Sequence, residues 1–217
     1  MEKLNEMTVA DRYRAAAENF GRLVDGVADW DAPSPVKEWT VRDVVGHLVT
    51  WVPGMVGGGS GLAFPDGLDA ATDPVGAWRG LDARVREILD TPDEAGAIHS
   101  NPHTGEAPVD KVIDQYVSPD LVFHAWDLGK ASGQDPELDE DFMAGAYAGM
   151  SEASEMIRGS GQFGEQQSVA EDASITDKQV LRLHRPRPQL DPLTPAPDPR
   201  PLQRPVPGPC SARREGT

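Results

Sequence analysis

Apolar residues recur every three or four positions over most of the chain before Lys178, the spacing of helices that bury one face. Tyr13, Ala17, Phe20, Val24 and Val27 would line a first helix, which Asp31, Pro33, Ser34 and Pro35 end. Thr40 and Asp43 have the spacing of a capping box. Behind them Val41, Val44, Val45, Leu48, Trp51 and Val52 make the clearest stripe in the chain. Residues 53–65 are glycine-rich and predict a flexible connection. Asp73 and Pro74 then offer an N-cap and a first-turn proline for a third helix bearing Trp78, Leu81, Val85, Ile88 and Leu89.

Between Thr91 and Pro108 the periodicity fails, and Asn101, Pro102 and Gly105 predict a turn, hence a short hairpin near 95–108. Helical spacing resumes with Val112, Ile113, Tyr116, Val117, Leu121 and Leu128, and Gly133 is placed to stop it. Pro119 leaves two readings of this segment: a kink, or a fresh start with Ser118 as N-cap. In either case residues from Asp120 onward are predicted helical. Phe142, Ala146, Met150, Ala153 and Ile157 make a shorter fifth stripe. The expected fold is all-α, an antiparallel helical bundle with an extra C-terminal helix.

Charge and composition divide the 217 residues unevenly. Residues 179–217 hold 10 of the 20 prolines and 7 arginines against 3 acids, with no aromatic residue. That tail carries +4, so the −16 of the whole chain leaves −20 on residues 1–178. The expected organisation is a folded unit over 1–178 and a disordered tail over 179–217. A body so acidic repels a phosphate backbone, which argues against nucleic-acid binding. The apolar run around Leu48 to Val56 is broken by Pro53 and Gly54, too short for a membrane span. Acids at Glu2, Glu6, Asp11 and Glu18 do not suit a signal peptide. Cys210 stands alone, so a reduced, cytoplasmic setting is the expectation.

Two histidines carry the candidate chemistry. His47 borders the second apolar stripe, three residues after Val44 and four before Trp51. Asp120 and His124, four apart, project from one helix face and would need a third ligand from a facing helix to complete a metal triad. Two imidazoles and a carboxylate suit Zn first, with Ni or another divalent ion as alternatives, and leave a position for water or substrate. Spacing alone also fits a hydrogen-bonded core histidine and a helix ion pair, so both alternatives stay open here. Asp127 has the spacing to orient the His124 imidazole and equally that of an exposed acid. Trp39, Trp51 and Trp126 suit pocket walls or bundle packing. His99 and His103 fall in the turn region and are expected to be exposed. Glycine-rich nucleotide motifs and Cys-x-x-Cys are absent.

The run from Trp39 to Val49, W-T-V-R-D-V-V-G-H-L-V, and the run from His124 to Gly133, H-A-W-D-L-G-K-A-S-G, resemble actinobacterial DinB-like metal-binding proteins. These are related to the N-terminal domain of mycothiol-dependent maleylpyruvate isomerase. The resemblance extends from about Tyr13 to about Ile175. It implies a DinB-type four-helix bundle with the metal held by His47, Asp120 and His124. It further implies mycothiol as a small-molecule thiol co-substrate, activated as thiolate to attack an electrophilic partner in transferase or isomerase chemistry. A metal-bound hydroxide acting in hydrolysis is one alternative; a non-catalytic metal-stabilised binding or stress module is another. A homodimer is compatible with each.

Relatives of that kind usually end in a segment resembling A-F-T-G-R-D-P-x-W, which is not visible here. Codons can be chosen for Leu181 to Asp191 that, read one base later, encode C-A-F-T-G-R-D-P-N-W. A reading-frame shift near Asp177 to Val180 is the first explanation of the tail, and a proline-rich linker presenting a polyproline II ligand is the second. On either account His184 and Cys210 are not site candidates.

Overall fold

The structure is a computed structural model, and it describes residues 3–102 and 104–152. It is mostly helical with one small two-stranded sheet. Helix α1 spans Val9–Asp25; Thr8 caps it by accepting from the Asp11 amide at 3.2 Å. Tyr13, Ala17, Phe20 and Val24 are buried as their spacing predicts. Helix α2 spans Val41–Val52, and the Thr40–Asp43 capping box forms in both directions. Helix α3 spans Pro74–Asp90; the Asp73 carboxylate accepts from the Gly76 amide at 2.8 Å, and Trp78, Leu81, Val85 and Ile88 face inward. The Phe20 and Trp78 rings meet 4.6 Å apart where α1 and α3 pack.

The glycine-rich stretch after α2 departs from expectation. The chain stays helical through a wide π-type turn at Pro53–Gly57 and one further turn at Gly58–Ser60, and stops at Gly61 with φ 76°. Pro53 has no N–H for the regular helical bond, and the chain passes through it into a widened turn without ending the helix. Tertiary contacts then hold it. Val56 is fully buried, Ser60 Oγ donates to Val56 O at 2.7 Å, and His99 Nε2–H donates to Met55 O at 2.9 Å. Glycine is needed for close approach here: a Cβ on Gly59 would lie 2.2 Å from His99 Nε2.

A hairpin forms near the predicted place, β1 Ile98–Asn101 antiparallel to β2 Gly105–Pro108, with His99 opposite Ala107. His99 on β1 is fully buried, contrary to the expectation of exposure, because its strand packs on the helical extension of α2. His103 lies outside the described residues. From β2 the chain enters one helical path: a turn at Val109–Val112, a second π-type turn at Ile113–Val117, then helix α4 at Ser118–Ser132. This decides the Pro119 question. Ser118 has helical backbone angles and its amide bonds Ile113 O, so the segment does not restart; the π turn absorbs the proline. Arg12 of α1 pairs with Asp114 within that turn and also donates to Leu4 O and Met7 O. Gly133, φ 70°, ends α4 as expected.

Helix α5, Glu140–Glu152, buries Phe142 and Met143. Ala153, Ile157 and the tail with its two explanations lie outside the described residues. Helix α1 packs against α3 and α4, and α2 packs against the same two helices. The core runs through their meeting faces, with Phe20, Leu48, Leu81, Leu121 and Leu128 essentially inaccessible. Each such side chain contributes roughly 1.5–3 kcal/mol relative to exposure. The α2–α4 contact is the one that positions the candidate site.

Candidate metal centre

His47 projects from α2, and Asp120 and His124 project from α4 one turn apart. Packing of the two helices brings the three together: one potential ligand atom from each lies within 4.8 Å of the others. The Asp120 carboxylate sits between the rings, with Oδ2 3.4 Å from His47 Nε2 and Oδ1 3.7 Å from His124 Nε2. Ligands about 2 Å from a tetrahedral ion are separated from one another by roughly 3–4 Å, so these spacings fit a divalent cation. The donor chemistry fits as well, since borderline-soft divalent ions accept mixed nitrogen and oxygen ligands.

Burial differs across the three. His124 is inaccessible, whereas the side chains of His47 and Asp120 retain 18% and 13% exposure, so the cluster opens on the His47 and Asp120 side. Burial holds the His124 imidazole far below its ordinary range, at about 3. Asp120 pulls upward and His47 adds a push downward, but removal from water dominates. The ring is therefore neutral at physiological pH, the form that ligates a metal.

Asp127 is buried one turn beyond His124, and its Oδ2 accepts from His124 Nδ1–H at 3.1 Å. This bond fixes the tautomer and leaves Nε2 as the nitrogen facing Asp120. Asp127 is buried and bonded to His124, so its reading as an exposed acid does not hold.

The tryptophans divide. Trp39 is buried with its ring centroid 5.3 Å from that of His47 and 6.0 Å from that of His124. Trp51 stacks on His47 at 5.9 Å, nearly parallel at 16°. Trp126 is two residues from His124, about 200° around the helix. It joins the hydrophobic core with Lys130 Nζ 5.5 Å over its ring. His99, though buried, belongs to the hairpin contact with Met55. His184 and Cys210 lie outside the described residues. Among the described residues no helix is long and apolar enough to cross a membrane.

Residues 13–67 match the family described as mycothiol maleylpyruvate isomerase N-terminal domain. That stretch contains His47 and stops before Asp120 and His124. Two curated sequences, both uncharacterized proteins of Mycobacterium tuberculosis strains, are each 33% identical over 149 residues, covering 63% of this chain and 76% of the relative. No solved structure gives a significant match. Identity at this level across three quarters of the mycobacterial proteins, with the family match spanning α1, α2 and its extension, shows that the chain belongs to the actinobacterial DinB-like family related to the N-terminal domain of mycothiol-dependent maleylpyruvate isomerase.

Proposed function

We propose that the protein is a DinB-type four-helix bundle that binds a divalent metal, Zn first, through His47, Asp120 and His124, and serves mycothiol-dependent transfer or isomerisation. The observation that supports this best is the meeting of two imidazoles and a carboxylate from two separate helices at ligand spacing. The functional unit would lie within residues 1–178, with 179–217 outside it.

A bound divalent cation supplies Lewis acidity and lowers the pKa of a thiol brought to it. The remaining contributions belong to this chain. His124 presents Nε2 as a neutral donor because Asp127 holds the proton on Nδ1. Asp120 contributes the negative charge that a dication requires, with one carboxylate oxygen facing the Nε2 of each imidazole. Trp51, parallel to His47 and partly exposed, forms an apolar wall on the more open side of the cluster. Such a wall would limit water around a reactive sulfur.

The test is metal-dependent consumption of thiol. Metal-loaded protein given mycothiol and a panel of small electrophiles should deplete free thiol, and chelator-treated protein should not. Equal, uncatalysed loss in both samples across the panel would remove the thiol reading while leaving the metal site to be judged by metal analysis.

A further inference from the structure

The loop before α2 contains a backbone feature that capping does not require. Glu38, a residue with a side chain, is held at φ 69° in the left-handed region. This conformation is costly away from glycine and persists where surrounding structure enforces it. The enforcement is visible on both sides. Pro33 and Thr40 form a bridge, the Ser34 amide donates to Trp39 O at 2.8 Å, and the Trp39 amide donates to Val36 O at 3.0 Å. Further along, the Val41 and Arg42 amides bond Ala32 O and Trp30 O, both at 3.0 Å, tying the loop to the start of α2.

The side chain aimed by this arrangement is Trp39. Its indole lies against imidazoles from two different helices, tilted 40° to His47 and 24° to His124. Those two rings meet edge to face at 4.8 Å. A flat, rigid ring with two torsions, buried against both, restricts how far either imidazole can turn. Asp127 bonds His124 Nδ1, and no equivalent carboxylate bond to His47 Nδ1 exists among the described residues.

We infer that Trp39 is a positioning residue for the metal centre, a buried aromatic clamp that holds His47 and His124 in register, and that the strained Glu38 backbone serves to place it. This rests on the metal reading above. Outer contacts that orient metal ligands typically alter affinity by 10–100-fold when removed.

The experiment compares full-length wild type, Trp39→Leu and Trp39→Phe, titrated with Co²⁺ against a competing chelator. Affinity, the visible spectrum of bound Co²⁺ and the thermal midpoint are recorded together. Trp39→Leu fills volume without offering a ring, and should bind Co²⁺ roughly tenfold or more weakly with a changed spectrum. Trp39→Phe should lose less, because a smaller ring still covers one imidazole. A residue that only packs would lower the thermal midpoint and leave affinity and spectrum unchanged; that result overturns the proposal. If Trp39→Leu does not fold, Trp39→Phe decides: wild-type affinity and spectrum overturn the clamp, whereas a weakened, altered site supports it. Wild type that takes up no Co²⁺ overturns the metal reading itself, and with it the clamp.

Discussion

His99 and His124 are both completely removed from solvent, yet their surroundings differ in every respect that governs chemistry. His99 sits on β1 against the helical extension of α2; its Nε2–H is spent on a backbone carbonyl, and its Nδ1 has no hydrogen-bond partner among the described residues. His124 has a carboxylate on each side, Asp127 at Nδ1 and Asp120 toward Nε2, with a second imidazole from another helix within reach. The first arrangement joins a hairpin to a helix. The second leaves a nitrogen lone pair directed at a point shared by other donors. Burial of a histidine is therefore uninformative by itself; convergence of donors from different elements separates a candidate site from a packing contact.

The largest expected effect tests that separation directly. His47→Ala and His124→Ala should each abolish stoichiometric metal in the purified protein, and His99→Ala should retain it, as read by elemental analysis after gel filtration. Equal loss in all three variants would show that metal content follows folding, and the contrast would collapse.

Acid should have the next largest effect, through His124. Its folded-state value of about 3 lies below the ordinary imidazole value of 6.5, so between these the unfolded chain binds a proton that the folded chain does not. Stability of the metal-free protein should therefore fall as pH is lowered from 6.5, by up to roughly 1.4 kcal/mol for each pH unit from this group. Denaturant titrations between pH 6.5 and 5, above most carboxylate titration, should show this slope, and His124→Gln should remove it. An unchanged slope in that variant would mean that other groups govern the acid response.

A smaller effect belongs to the other histidine. Gly59→Ala places a methyl group 2.2 Å from His99 Nε2, and the ring must move from its bond to Met55 O. Overpacking of this kind costs about 1–3 kcal/mol, measurable as a lower unfolding midpoint. Metal stoichiometry should be unchanged, because the defect lies in the hairpin contact. Loss of metal here would reveal that the α2 extension helps to place His47.

Much of the fold was legible because its rules are local. The Thr40–Asp43 and Asp73–Gly76 caps, the stop at Gly133 and the buried stripe of α1 follow from contacts spanning no more than a turn, which spacing exposes directly. The hairpin could be located from its turn residues and from the loss of periodicity. Where local rules misled, a distant contact had intervened. Proline and glycine after α2 predict a break, but buried Val56 and the His99 bond keep the segment helical. Tertiary contacts override weak local preference because each contributes an amount comparable to the preference itself.

The candidate site divides along the same line. That Asp120, His124 and Asp127 share a helix and can reach one another was determined by the sequence, since i+3 and i+4 neighbours lie on one face whatever surrounds them. That His47 comes to the same point, that His124 loses its affinity for protons, and that Trp39 reaches both rings were decided by tertiary structure. Each of these depends on residues far apart in the chain. The packing of α2 on α4 sets the ligand distances, the exclusion of water sets the imidazole equilibrium, and the pinned backbone at Glu38 aims the indole.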